Sequence, residues 1–254
     1  MFYDNFSSDY DRFVSWQGRL AIEIPFLEHK LRETGARRVL DAACGTGMHA
    51  IALAQVGFET AGADLSTGMI SRARENAESA GLDIPFKAAG FGDLTAAFGP
   101  ESFDALLCLG NSLPHLLTPE LLFQSLTDFA SCLKPGGLIV IQNRNFDAVM
   151  AARQRWMEPQ AAHEGQVEWL FQRFYDFEAD GLLTFNIVTL QRENGGDWKQ
   201  SIQSTPLRPL LAVELRDAGG RRRRRPTAAI HEFASPERLL QAMADLEPRA
   251  LVLR

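Results

Sequence analysis

Ten consecutive residues, Arg38-Val-Leu-Asp-Ala-Ala-Cys-Gly-Thr-Gly47, constrain this chain more than any others. A short apolar run ends in an acid and turns through two glycines. At Met48 it gives way to apolar residues at helical spacing over 48–56, the pattern of strand, tight turn and helix. The unit repeats. Residues 59–64 read as a second strand, with Ser66 placed to cap a helix over 67–80. Residues 86–90 and 103–109 read as the third and fourth strands, a helix lies around 121–133, and Pro135-Gly-Gly137 turns into a fifth strand over 138–142. Ahead of this series, Leu20, Ile24, Leu27 and Leu31 share one face of a helix over 20–33, which Gly35 stops. Strands alternating with helices predict an α/β fold: a Rossmann-like, doubly wound, mostly parallel sheet with helices on both faces.

After Asn145 the texture changes. Residues 167–177, 182–192 and 198–205 are rich in β formers and separated by turn signals at Ala179-Asp-Gly181 and Glu193-Asn-Gly-Gly196, which predicts an antiparallel β insert after the fifth strand. The expected division is therefore an N-terminal arm and helix over 1–34, a cofactor-binding core over 35–145, a β insert covering the substrate over 146–205, and a C-terminal helix and tail over 206–254. The helix is expected over 210–218, with a last strand at Ala250-Leu-Val-Leu253. Gly219-Gly220 and the five arginines from Arg221 to Arg225 fit no element. A solvated loop is one reading of them, and a shifted coding frame after about Asp217 is another.

At 254 residues, 46% hydrophobic and 23% charged, the chain can bury one sizeable core. A net charge of -6 opposes any general attraction to nucleic acid or anionic membrane, so a small-molecule partner is expected. The start, MFYDNFSSDYDRF, lacks a basic region followed by an apolar run, and no stretch approaches a membrane span, so a cytoplasmic location is expected. Cys44, Cys108 and Cys132 lack paired spacing and read as reduced core thiols, with no metal site expected.

In a doubly wound sheet, ligands bind beyond the carboxyl ends of the strands near the switch point. The turn at Gly45 and Gly47 lets backbone approach a ligand, and the helix after it offers unpaired N–H groups. Gly45-x-Gly47-x-x-Ala50, with Asp64 about 20 residues on, also fits a dinucleotide fingerprint. Asp41 separates the two readings. The string Val-Leu-Asp-Ala-Ala-Cys-Gly-Thr-Gly resembles motif I of the class I S-adenosylmethionine-dependent methyltransferases. An acid beneath the loop would repel a pyrophosphate, whereas the ammonium and sulfonium of S-adenosyl-L-methionine are favoured by it. The resemblance extends roughly over residues 19–145, through Asp64-Leu-Ser-x-x-Met69, Ala89-Gly-Phe91-Gly-Asp93 and Lys134-Pro-Gly-Gly137. It implies a cofactor site at Arg19, Asp41, Ala43, Gly45, Gly47, Asp64, Leu65, Met69, Phe91, Gly92 and Leu109.

Two further strings, Cys108-Leu-Gly-Asn-Ser-Leu-Pro-His115 and Val140-Ile-Gln-Asn-Arg-Asn145, resemble the glycine and sarcosine N-methyltransferases. The resemblance implies an amino acid acceptor held by Asn111 and Arg144. A guanidinium binds a carboxylate through two parallel hydrogen bonds, and an asparagine adds donors and acceptors without charge. His115 is a candidate proton relay. Tyr3 and Tyr10 are candidates to close the pocket, either their own or a neighbour's, which leaves a homo-oligomer open. Three other functions compete: an NAD-dependent oxidoreductase, a methyltransferase acting on oxygen or carbon, and a module that senses the methyl donor without catalysis.

Overall fold

The computed structural model describes residues 10–215 and the backbone of 251–253. Strands β1 (Arg38–Asp41), β2 (Glu59–Asp64), β3 (Phe86–Ala88), β4 (Phe103–Cys108) and β5 (Leu133–Ile141) run parallel in the spatial order β5-β4-β1-β2-β3. The order reverses between β1 and β4, which opens a crevice at their carboxyl ends.

Helices α1 (Trp16–Glu33), α2 (Met48–Gln55) and α3 (Thr67–Ser79) cover one face of this sheet. On the opposite face lie α4 (Leu94–Phe98) and α5 (Pro119–Cys132). The central strands are therefore apolar throughout. Leu40, Leu106 and Ile139 pack with Leu122 and Phe129 on one side, while Val39, Leu107 and Val140 pack with Leu27 and Leu31 on the other. Each central side chain buried this way contributes about 1.5–3 kcal/mol. Ser66 caps α3 as its position predicts, accepting a 3.1 Å bond from Met69 N.

After β5, α6 (Phe146–Ala152) leads into a separate antiparallel sheet of β6 (Gln160–Glu164), β7 (Val167–Phe177), β8 (Leu183–Glu193) and β9 (Lys199–Leu207). Phe146 and Val149 pack against Tyr175, Leu183 and Leu207. Tyr10 and Phe13 pack against Trp169 and Phe171, so this sheet is tied to the N-terminal arm. Backbone β10 (Leu251–Leu253) pairs antiparallel with β5, where a last strand was expected.

Some local expectations change. The first helix starts at Trp16, whose indole donates a 2.9 Å bond to Asp11 and anchors the extra turn. Strand β6 was not foreseen, because Gln-Ala-Ala-His-Glu carries no large apolar residue to mark it. The segment Pro135-Gly-Gly137 lies within β5 as an irregularity: pairing steps from Phe103 with Leu133 to Ala105 with Leu138, and Gly136 takes φ +81°. The third strand ends at Ala88 instead of Gly90. Residues 212–215 are helical. Leu210 and Leu211, expected as its first residues, precede the helix without helical structure; residues 216–218 of the expected helix, with Tyr3, Gly219-Gly220 and Arg221 to Arg225, lie outside the described residues.

Candidate functional site

The turn after β1 is built on two glycines in left-handed backbone, and at the second a side chain would also collide. Gly45 has φ +54° and Gly47 φ +80°, backbone that non-glycine residues adopt at a cost. A Cβ on Gly47 would stand 2.8 Å from Phe86 Cζ and 3.0 Å from Ala73 Cβ, so this turn lies flat on β3 and α3. Asp64, at the end of β2, fixes it from the other side. Its Oδ2 accepts from Gly45 N at 2.9 Å and its Oδ1 from Ser66 N at 2.9 Å. Such charge-assisted bonds contribute about 1.5–3 kcal/mol each.

Asp41 ends β1 directly beneath the loop and is 2% exposed. Neither carboxylate oxygen accepts a well-formed hydrogen bond. Burial raises its pKa to about 6; His49 and the Ala43 N–H hold it down in part, while Asp64 pushes it further up. A buried carboxyl so weakly satisfied is costly in an empty protein and well matched to a cationic ligand.

A polar network that the sequence reading missed crosses from α1 to the sheet. Glu23 Oε1 accepts a 2.6 Å bond from Gln142 Nε2, and Glu23 Oε2 lies 2.6 Å from His49 Nε2. Arg19 donates from Nε to Glu23 at 2.9 Å and from Nη2 to Gln142 Oε1 at 3.1 Å; Gly110 N donates to that same oxygen at 3.1 Å. Burial opposes ionisation of Glu23, but the His49 bond and Arg19 outweigh it and bring the pKa to about 2. The only sequence signal was position: Gly110 and Gln142 follow the carboxyl ends of β4 and β5.

The arm lies over the crevice. Asp11 accepts from Thr46 Oγ1 at 2.6 Å and from Arg72 and Asn76 at 3.3 Å, clamping the arm to the loop and to α3. Tyr10 is half-buried against the loop, its ring 3.6 Å from where a Gly45 Cβ would stand. Burial raises its hydroxyl pKa, with Arg19 opposing and Asp64 and Asp41 adding to the rise. Beside it a cavity of 620 Å³ opens between α1, the ends of β4 and β5, and the second sheet. Its lining includes Tyr10, Arg19, Glu23, Leu109, Gln142 and Arg173.

The expected residues fall into three groups. Arg19 and Leu109 line the cavity, while Asp41, Ala43, Gly45, Gly47 and Asp64 form the loop and its supports. Leu65, Met69, Phe91 and Gly92 follow β2 and β3. Leu65 is 61% exposed, Met69 is buried in the first turn of α3, and Phe91 packs edge-on to Phe129 at 5.2 Å. Gly92 N donates to Asp128 at 3.1 Å. Asn111 and Arg144 are brought together beyond β4 and β5. Asn111 has φ +70° and its Oδ1 accepts a 3.1 Å bond from Arg144 N, while the Arg144 guanidinium lies 5.7 Å from the Tyr175 ring. His115 ends the one-turn helix Leu113–His115 and is not among the residues lining the cavity. Burial lowers its pKa to about 4.

Among the described residues no group of His, Cys, Asp and Glu is placed to hold a metal ion, and no helix is long and apolar enough to cross a membrane. The three cysteines are buried free thiols.

Residues 39–137 match the methyltransferase domain family. The glycine/sarcosine N-methyltransferase of Aphanothece halophytica is 37% identical over 147 residues, covering 58% of this chain and 55% of that protein. The glycine N-methyltransferase of Oryctolagus cuniculus is 34% identical, covering 48% of this chain and 45% of its own. This chain thus spans about half the length of the curated relatives it matches. Among solved structures, Streptomyces venezuelae DesVI superposes with TM-score 0.74 at 19% identity, covering 99% of this chain and 96% of that one. SAM-bound CalS10, an amino pentose methyltransferase from Micromonospora echinaspora, has TM-score 0.71 at 18% identity, with 98% and 95% covered. These likenesses establish the fold, including its second sheet.

Proposed function

We propose, on the premise that residues 39–137 are a methyltransferase domain, that this chain moves a methyl group from S-adenosylmethionine to the amine of a small amino acid. The observation that carries the reading is the buried Asp41 carboxylate beneath a loop that Asp64 holds in place. Its weakly satisfied oxygens fit the cationic methionine end of the methyl donor, and they oppose the pyrophosphate that an NAD-dependent oxidoreductase would place there. The family match of the loop and the relatives named for glycine and sarcosine support the same choice.

In this reading Asp41, Ala43, Gly45 and Gly47 hold the methionine end, with Arg19 oriented by Glu23 and Gln142 toward the donor's carboxylate. Asp64, Leu65, Met69, Phe91, Gly92 and Leu109 hold the nucleoside. When bound, the donor supplies a methyl group already activated by its sulfonium. What remains for the protein is to hold a nitrogen lone pair in line with that methyl, a task worth about 7 to 11 kcal/mol. Arg144 binds the acceptor carboxylate. Asn111 is a positioning residue, since its Oδ1 is bonded to the Arg144 backbone. His115, neutral at pH 7, is the candidate to relay the amine proton to water. The described part of the arm, from Tyr10 on, and the insert at 146–205 close the site over the core at 35–145. Tyr10 and Phe13 form the cover from the arm's side, against Trp169 and Phe171.

The test is transfer of labelled methyl groups to a panel of amines, alcohols and carbon acids. N-methylated amino acids as products support the reading. Labelled products formed only on oxygen or carbon, or no labelled product, would overturn it.

A further inference from the structure

One face of β7 is apolar except at the position that meets the cavity. Side chains on one strand alternate between faces, and directly paired residues share a face. Trp169, Phe171, Arg173 and Tyr175 of β7 therefore point the same way, toward the arm and α6. Within that stripe Arg173 is the only charge. It lines the cavity, its guanidinium lies 4.9 Å from the Phe13 ring, and its Nε is buried without a hydrogen-bond partner. Gln160, opposite Phe171 on the same face, lines the cavity too and buries an unpartnered Oε1.

Arg144 approaches from the end of β5 and stands over the Tyr175 ring, two residues along the strand from Arg173. The groups acting on Arg173 are its own burial, then Arg144, then Tyr175, and none is a carboxylate. Two guanidinium groups thus converge with no acid between them. Holding like charges together in a half-buried site is costly unless anions meet both. One monocarboxylate satisfies one arginine by a bidentate pair and leaves the second uncompensated.

We propose that Arg173 and Arg144 together select an acceptor with two anionic groups, an aminodicarboxylate in preference to glycine. This rests on the amine-methylation reading for its chemistry but not for its binding geometry. Arg144 takes the carboxylate beside the amine, and Arg173 takes the second, with Gln160 beside it.

The test separates the two claims. Calorimetry with the full chain saturated in S-adenosylhomocysteine compares succinate with acetate as probes. Succinate is expected to bind at least about tenfold more tightly, and Arg173→Gln to weaken succinate by at least about tenfold while weakening acetate far less. Arg173→Lys, which keeps the charge, retains most of the preference and guards against a folding artefact. Equal affinities for the two anions, or an equal loss of both in Arg173→Gln, would overturn the proposal. Label transfer is then compared for aspartate and glycine. A higher kcat/KM for aspartate, reduced mainly through KM in Arg173→Gln, supports it. A higher value for glycine overturns it. Retained succinate preference with no amine methylated would instead defeat the functional reading and leave the dianion pocket standing.

Discussion

Glu23 on α1 and Gln142 at the end of β5, 119 positions apart, share a 2.6 Å hydrogen bond at the floor of the cavity. This contact, with Arg19 and His49 around it, joins the N-terminal helix to the ends of the strands that carry the site. Because the pKa of Glu23 is lowered to about 2, its ionised form stabilises the fold above the ordinary value of 4.5 and that increment is lost as pH falls from there toward 2. Its size is about 3 kcal/mol. Glu23→Gln should lower stability at pH 7 by about that amount and flatten the acid limb of the curve, as read by denaturant titrations between pH 2 and 7. An acid limb identical to the parent's would refute the assignment.

Asp41 carries the opposite sign. Its raised pKa means that ionisation costs folded-state stability as pH rises from about 4 to about 6, and a cationic ligand recovers that cost. S-adenosylhomocysteine should bind more tightly as pH rises through 6, by up to about tenfold per unit below it, then level off. Asp41→Asn should bind weakly with little pH dependence in calorimetry. A pH-independent affinity in the parent would exclude the charge role.

Gly47→Ala should destabilise the protein by about 2 to 4 kcal/mol, since it combines a left-handed backbone with a clash against the Phe86 ring. Measured against Phe86→Leu alone, the change at Gly47 loses the ring clash but keeps the backbone strain and the 3.0 Å approach to Ala73 Cβ, so partial recovery of Tm is expected. Full recovery, or none, would show that only one of the two causes acts.

Asn111→Gly tolerates the positive φ and removes only the bond to Arg144 N, at a cost of about 1 kcal/mol. Methyl transfer should lose about tenfold in kcat/KM, chiefly through KM for the acceptor, with affinity for S-adenosylhomocysteine unchanged. Equal losses in acceptor and cofactor binding would point to general loosening of the loop.

Most of the sheet was legible in the sequence because its strands are apolar on both faces and bounded by acids, glycines and prolines, as in Arg38 to Gly47. The cofactor loop was legible for the same reason: Gly45 and Gly47 occupy backbone that other residues avoid. The Glu23–Gln142 network was not, because both residues look like ordinary solvated polar positions until α1 folds back on the sheet. Arg173 left a faint trace as a charge interrupting the alternation of Trp169, Phe171 and Tyr175. The edge strand β6 left none, since its pairing with β7 comes from the neighbour and not from its own side chains.

The most direct test of the central claim is calorimetry of the full chain with S-adenosylhomocysteine and then NAD, repeated with Asp64→Ala. Micromolar binding of the first ligand alone is expected, largely lost in the variant because the loop amide of Gly45 loses its anchor. Binding of NAD, or binding of S-adenosylhomocysteine indifferent to Asp64, would contradict it.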